Sequence, residues 1–319
     1  GKIGIKRKYQ SVIDALTPYL KPNISIVPVD DAYPSGDEFI LIYEVLGRVI
    51  PPGGIPLAVG AVVINVETAI NVARSADSPV VDKYVSVAGA VREPITVKVP
   101  VGTPMSECLK AAGGATIDDP HFVIGGLMMG YLAENLDFPV TKTTGGVIVL
   151  PKENPAVAIR KNTWKQTARI GRSACDQCSF CTELCPRYLL GHPIEPHKAM
   201  RSLGFNMVGE ANFIGTQFCC ECGLCTFVSC PESLDPREVC AQNKRRLMQE
   251  RKRWENPPFR PRMAETHLKN RKTPTSRLMQ KLGVRGYKNV GPMSDAVIEP
   301  SRVTILLKQH IGAPCEAVV

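Results

Sequence analysis

Nine of the twelve cysteines in this 319-residue chain lie between Cys175 and Cys230, and most of them fall into two runs. The first is Cys175-x2-Cys178-x2-Cys181-x3-Cys185-Pro186, and the second is Cys219-x2-Cys222-x2-Cys225-x4-Cys230-Pro231. A disulfide framework spreads its cysteines to staple distant loops. Gaps of two and three residues instead gather several thiols into one loop, as a metal centre requires.

Three thiolates at steps of three let one short loop wrap three corners of an iron–sulfur cube, and the fourth ligand must come from elsewhere. In two-cluster ferredoxins the last cysteine of each run serves the other cluster. Applied here, two [4Fe–4S] clusters are expected: one on Cys175, Cys178, Cys181 and Cys230, the other on Cys219, Cys222, Cys225 and Cys185. The crossing would hold the clusters close enough for fast exchange of single electrons. The rival is a zinc-stapled scaffold with no redox role, built on the same thiols. Zinc sites favour separated C-x2-C pairs over triplets closed by Cys-Pro, so the spacing favours iron.

Some positions fit less directly. Cys220 adjoins Cys219, and only Cys219 keeps the x2 step. The gap before Cys230 is one residue longer than the gap before Cys185, which predicts a bulge in that turn. The stretch between Cys185 and Cys219 is long enough for helices to separate the runs. His192 and His197 are read as loop and helix-cap residues, because the cysteines already suffice. Cys240 and Cys315 are expected to be free thiols, and Cys108 a small apolar core residue.

Around this centre the chain changes period. Residues 1–82 alternate short strands (Ile3–Lys6, Ile24–Val29, Ala61–Ile64) with amphipathic helices, the pattern of an open α/β sheet. Ser35 or Asp37 can cap the helix through Phe39 and Leu46, and Gly47 stops it. A nucleotide-binding sheet starts with a strand and a Gly-rich turn. Here the chain opens on what reads as an interior strand, and its first residue is not Met, so a preceding half and a trimmed chain are expected. Residues 83–150 alternate as a hairpin, then a helix from Met105 to Ala112 ended by Gly113-Gly114, then a strand over Gly146–Leu150: an α+β unit of the β-grasp kind. Residues 155–255 lose strand patterning and read as helical. Residues 256–319 read as a basic connector and the first strand, Val303–Leu307, of a further segment.

Charge is concentrated rather than spread. Of the net +9, all falls between Lys244 and Arg277, where 12 Lys/Arg face Glu250, Glu255 and Glu265; the remaining 27 basic and 27 acidic residues cancel. Aromatic residues there are limited to Trp254 and Phe259, so nucleic-acid binding is not expected. A solvated helix with a connector is the plain reading, and a docking surface for an acidic partner the sharper one. No apolar run reaches the roughly 18–20 residues that span a bilayer; a cytoplasmic protein is expected.

With Cys-Pro-Arg-Tyr-Leu-Leu-Gly-His after the first run and Cys-Glu-Cys-Gly-Leu-Cys in the second, the chain resembles the RnfC/PduS family. Further stretches carry the resemblance: Tyr33-Pro-Ser-Gly-Asp-Glu38, Pro51-Pro-Gly-Gly-Ile-Pro56, Asn65-Val-Glu-Thr68, Gly113-Gly-Ala-Thr-Ile-Asp-Asp-Pro120, Pro139-Val-Thr-Lys-Thr-Thr-Gly-Gly146 and Gln309-His-Ile-Gly312. The four-residue gap before Cys230 suits the PduS branch, the cobalamin reductases of propanediol-utilisation microcompartments. The resemblance implies a multidomain α/β and α+β chain. Its parts would be a partial Rossmann-like flavin domain (1–82), a β-grasp SLBB domain (83–150), an all-α two-cluster ferredoxin domain (155–255), and a connector leading into a barrel-sandwich segment (256–319).

It further implies that Tyr33, Gly36, Asp37, Glu38 and Asn65 line an FMN site like that of the flavin subunit of complex I, with Asp37 in place of a Glu. FMN and NADH are expected in the intact protein and not on this stretch alone, since the family's glycine-rich flavin loop lies upstream of Gly1. Electrons would pass from NADH through FMN and both clusters to cob(II)alamin. The implied partners are a corrinoid enzyme, a cobalamin adenosyltransferase, and a microcompartment shell protein. An Rnf-type NADH:ferredoxin subunit is the alternative within the family. A cobalamin-binding protein is not supported, because no Asp-x-His-x-x-Gly motif occurs.

Overall fold

Alternating isoleucines make a strand of Lys2–Lys6 (β1), and Gln10–Leu16 (α1) returns the chain to Ser25–Val29 (β2), which pairs with β1 in parallel from Lys2↔Ser25 to Lys6↔Val29. This is a strand–helix–strand crossover, as the α/β pattern predicts. These elements come from a computed structural model that describes residues 1–76, 79–204, 209–290 and 293–297. The chain falls into two compact units, one of residues 1–63 with 162–281, the other of 64–161 with the described residues beyond 281.

In the first unit Ala32–Tyr33 (β3) leads into Glu38–Leu46 (α2). The Asp37 carboxylate accepts from the backbone N–H groups of Phe39 and Ile40, and Gly47 ends the helix in the left-handed region at φ +66°. That conformation is cheap for glycine and closes the last turn onto the Tyr43 carbonyl. Phe39, Ile40 and Ile42 form the buried face. The strand expected at Ala61–Ile64 does not form: after the 3-10 turn Pro56–Val59, these residues have no ladder partner among the described residues, and Val62 and Ile64 are exposed.

The second unit begins with Val66–Arg74 (α3), capped by the Asn65 side chain on the Glu67 N–H. Asp82–Gly89 (β4) and Ile95–Pro100 (β5) form the expected antiparallel hairpin, and Met105–Ala111 (α4) follows. His121–Ile124 (β6), Tyr131–Ala133 (β7) and Gly146–Leu150 (β8) complete the sheet, with β8 parallel to β4 and antiparallel to β6. Val85, Val87, Val97, Val99, Val147 and Val149 point one way along these strands and bury against Met105 and Cys108. Cys108 therefore fills the core, and burial pushes its thiol up to about 12. At Gly89 a Cβ would stand 2.1 Å from the Val149 carbonyl oxygen, so only glycine admits that approach. Pro155–Arg160 (α5), capped by Asn154, ends this part of the unit.

The chain then returns to the first unit as helices. Trp164–Ala174 (α6) starts in a capping box between Thr163 and Gln166. Phe180–Glu183 (α7), Pro186–Leu189 (α8) and Pro196–Gly204 (α9) follow, and Pro236–Gln249 (α10) is capped by Asp235. Ala199, Met200, Leu203, Val239, Cys240 and Leu247 pack α9 on α10.

The expected connector after Pro257-Pro258 is structured instead. A π turn at Ala264–Leu268 runs into Lys269–Arg271 (α11), Thr273–Pro274 (β9) pairs antiparallel with β3, and Thr275–Lys281 (α12) follows. Ala264 and Leu268 bury against Ile40, Ile50 and Leu190. Lys272 bridges Asp30 and Glu44 at 3.0 and 2.6 Å. Prolines and lysines masked this apolar face in the sequence. In the second unit Met293–Val297 (β10) adds to the edge of β5, giving the order β10-β5-β4-β8-β6-β7. The expected strand Val303–Leu307, the Gln309–Gly312 stretch and Cys315 lie outside the described residues.

Candidate metal centre

Both cysteine runs curl by the same device. In the first, Gln177 and Ser179 flank Cys178 at φ +58° and +66°; in the second, Glu221 and Gly223 flank Cys222 at φ +56° and +80°. Left-handed residues on both sides of the middle cysteine turn the chain so that all three thiols face inward. Three of the four are not glycine, and each carries a conformational cost of order 1–3 kcal/mol that the surroundings must offset.

The thiols gather around two cavities. One cavity is lined by Cys175, Cys178, Cys181 and Cys230, together with Asp176, His197 and Glu232. A second is lined by Cys219, Cys222, Cys225 and Cys185, together with Cys220, Glu221 and Arg237. The last cysteine of each run thus lies with the opposite triplet. Pro186 opens α8 directly behind Cys185, which turns the chain away from the cavity.

The extra residue before Cys230 is absorbed by a π turn over Cys225–Ser229, with the Ser229 hydroxyl donating to the Leu224 carbonyl at 3.0 Å. A π turn is a one-residue insertion in a helix, so the expected bulge takes this form.

Backbone and side-chain N–H groups already point at sulfur. Gln177 Nε2 reaches Cys175 Sγ at 3.2 Å, the Glu221 N–H reaches Cys219 Sγ at 3.3 Å, and the Leu234 N–H reaches Cys230 Sγ at 3.4 Å. The N–H groups of Tyr188 and Arg187 serve Cys185. Burial pushes the Cys181 thiol up to about 12 and the thiols of Cys185 and Cys225 well above the ordinary range, and a hydrogen bond with Cys220, added to burial, does the same for Cys222. Thiolates at these positions need positive charge beside them, which a bound metal supplies.

Zinc sites favour separated C-x2-C pairs, whereas each set here is a triplet joined by one cysteine of the other run, the donor arrangement of an iron–sulfur cube.

The remaining candidates separate clearly. His192 donates from Nε2 to the Ile50 carbonyl at 2.8 Å, and its ring sits edge-on to Phe39, Phe218 and Phe259. Burial lowers its pKa to about 4, so the ring is neutral and structural. His197 lines the first cavity and pairs through Nδ1 with the Thr182 hydroxyl at 2.7 Å. Cys240 is fully buried against Cys219. Cys220, set aside on spacing alone, lines the second cavity; a hydrogen bond with Cys222, helped by the Arg187 charge, lowers its pKa to about 7.

The five candidate flavin residues divide between the units. In the first unit the Tyr33 hydroxyl donates to the Cys222 carbonyl at 2.8 Å. Asp37, besides capping α2, takes both arms of the Arg187 guanidinium at 2.5 and 3.0 Å, and that guanidinium lies 3.7 Å from the Phe39 ring centre. Gly36 and Glu38 are exposed at the start of α2. Asn65 belongs to the second unit and caps α3. Arg187 was not singled out in the sequence; its place two residues after Cys185 was the available signal.

Three family models match the chain in succession: the Nuo51 FMN-binding domain over residues 1–74, the SLBB domain over 84–132, and a 4Fe-4S dicluster domain over 174–235. Across almost its whole length the chain is similar to cobalamin reductase PduS of Salmonella typhimurium: 41% identical over 320 residues, covering 99% of this chain and 70% of that one. It is similarly related to cobalamin reductase PduS of Citrobacter freundii, 40% identical with the same coverage. A shorter stretch is similar to one component of the proton-translocating ferredoxin:NAD(+) oxidoreductase complex of Clostridium ljungdahlii, 30% identical over 59% of this chain and 39% of that one.

Proposed function

Because the chain belongs to the family of the PduS cobalamin reductases, we propose that it passes electrons one at a time from NADH-reduced FMN to cob(II)alamin held by a partner corrinoid protein. The observation that supports this best is the gathering of eight thiols around two cavities, each drawing on both runs. In this reading Cys175, Cys178, Cys181 and Cys230 hold one [4Fe–4S] cluster, and Cys219, Cys222, Cys225 and Cys185 hold the other. Bound clusters supply single-electron steps between a hydride donor, which gives electrons in pairs, and a corrinoid that accepts one.

The protein's own residues prepare for that chemistry. N–H groups of Gln177, Glu221 and Leu234 offset thiolate charge at three corners, which favours the reduced state. Gly36 and Glu38, exposed at the start of α2, are the residues we assign to face a flavin, while Tyr33 and Asp37 hold the Cys222 carbonyl and Arg187. The assignment of Asn65 to the flavin rests on the family resemblance. The partners we assign are a cobalamin adenosyltransferase and a shell protein, with a propanediol-utilisation microcompartment as the location. No helix among the described residues is long and apolar enough to cross a membrane. The Rnf-type reading draws on a similarity over a shorter part of the chain.

The test is redox-monitored EPR with metal analysis on anaerobically purified full-length protein, followed by NADH-driven formation of cob(I)alamin. Two interacting reduced clusters and a corrinoid product support the reading. A colourless protein carrying zinc would overturn it.

A further inference from the structure

The two thiol sets have different surroundings. The second set, on Cys185, Cys219, Cys222 and Cys225, is joined to the residues that match the FMN-binding domain. Tyr33 donates to the carbonyl of Cys222 itself, and Asp37 grips Arg187, two residues from Cys185. His192 lies between Phe39 on α2 and Phe218, the residue before Cys219. Cys185, Cys222 and Cys225 are buried.

The first set meets solvent. Cys178 is exposed, Cys175 and Cys230 are half-buried, and no residue of 1–74 lines that cavity. Phe180, between Cys178 and Cys181 at the start of α7, is 50% exposed. Aromatic side chains are enriched at protein contacts, and Phe180 offers one beside the open site. The charges differ as well: near the second set Arg187 is paired with Asp37 and Arg237 stands with Glu221, whereas Asp176 and Glu232 line the first with no lysine or arginine among its described lining residues. A reduced cluster is more negative than an oxidised one, so the uncompensated anions disfavour an electron at the first set relative to the second.

We infer that the second set is the entry and the first set the exit, and that the surface around Cys178 and Phe180 is where a protein carrying a one-electron acceptor docks. This rests on the flavin-to-corrinoid reading above. Each flavin, reduced by one hydride from NADH, gives up two electrons in two separate single-electron transfers and releases its protons to solvent. Each electron crosses from the second set to the first, near Cys225 and Cys181, and leaves to reduce one acceptor.

The test uses full-length flavin-loaded protein mixed with NADH and frozen at successive times, with and without a dysprosium chelate in solution. The chelate relaxes the EPR signal of a cluster near the surface and spares a buried one. The signal that appears first should be insensitive to the chelate, and the sensitive signal should appear later or only with dithionite. A sensitive signal appearing first overturns the order while leaving the electron-transfer reading intact; no cluster signal even with dithionite overturns both.

Two variants locate the exit. Cys178→Ala should retain NADH reduction of the remaining cluster and lose acceptor reduction. Phe180→Glu should keep both clusters and the rate of their reduction, and raise KM for the protein-bound corrinoid about tenfold, leaving free cob(II)alamin reduction nearly unaffected. An unchanged KM in Phe180→Glu sinks the docking surface.

Discussion

Asp37 holds three things together: the first turn of α2, the guanidinium of Arg187, and through it the chain just after Cys185. Arg187 and Asp37 are only 7% and 17% exposed, so their attraction is weakly screened, and removing either partner leaves a charge stranded. Asp37→Asn keeps a cap oxygen for the helix and removes the charge. It should raise the midpoint potential of the cluster on Cys185, because Arg187 is then unbalanced, and cost about 3 kcal/mol of stability. Arg187→Met, which can still cover Phe39, should lower the same potential. EPR-monitored titration of both variants checks the opposite signs; shifts in the same direction would mean the pair acts only through packing.

The cap was legible in the sequence as an Asp before an apolar helical run. Its partner lies 150 residues away and could be found only in three dimensions. His192 gives a second test at this scale. Burial depresses its pKa from 6.5 to about 4, so between those values the unfolded chain binds the proton and the folded one resists it. Stability contributed by the neutral ring is complete above pH 6.5 and falls by up to about 1.4 kcal/mol per pH unit as pH drops through that window. Denaturant titrations between pH 7 and 5 should show this slope in the natural protein and a flatter one in His192→Gln.

Among elements, the π turn over Cys225–Ser229 carries the most consequence. It lets Cys225 face the second cavity while Cys230, five residues on, faces the first. Deleting Val228 would restore a three-residue gap and pull Cys230 out of step with its cavity. The expected product binds about half the iron and shows only the signal of the cluster on the second set; full iron content would show that the loop tolerates either length. The insertion was visible in the spacing, but its form was not, because periodicity does not distinguish a bulged turn from a π turn. The β4–β5 hairpin and α2 followed from local alternation and caps. The unformed strand at Ala61–Ile64 shows the limit of that method, since an apolar run becomes a strand only where a neighbour offers a ladder. The segment from Ala264 to Lys281 fails in the other direction. Its buried apolar residues, Ala264, Leu268 and Leu278, are too few and too widely spaced among charges to register as a pattern.

For the molecule as a whole, the basic run is less available than its count suggests. Lys244, Arg245 and Lys252 pair with Glu221, Glu238 and Glu210, all outside the run, and Lys272 with Asp30 and Glu44. The two compact units also divide the metal chemistry: every thiol of both cavities belongs to the first, and the valine core of the second contains none of them. Metal binding and folding are linked where ligands are buried. Stripping iron with a chelator should therefore abolish the cooperative transition of the first unit and leave that of the second, with its β-sheet circular dichroism, in place. Loss of both transitions together would show that the second unit depends on the clusters.

The first unit is also discontinuous, residues 1–63 being completed by 162–281. On a ribosome adding about 5–20 residues per second, the opening strands emerge roughly ten to forty seconds before the segment that covers them. Tyr33 and Asp37 wait through that interval for Cys222 and Arg187. The flavin-domain segment therefore cannot complete its packing until the ferredoxin portion has left the ribosome.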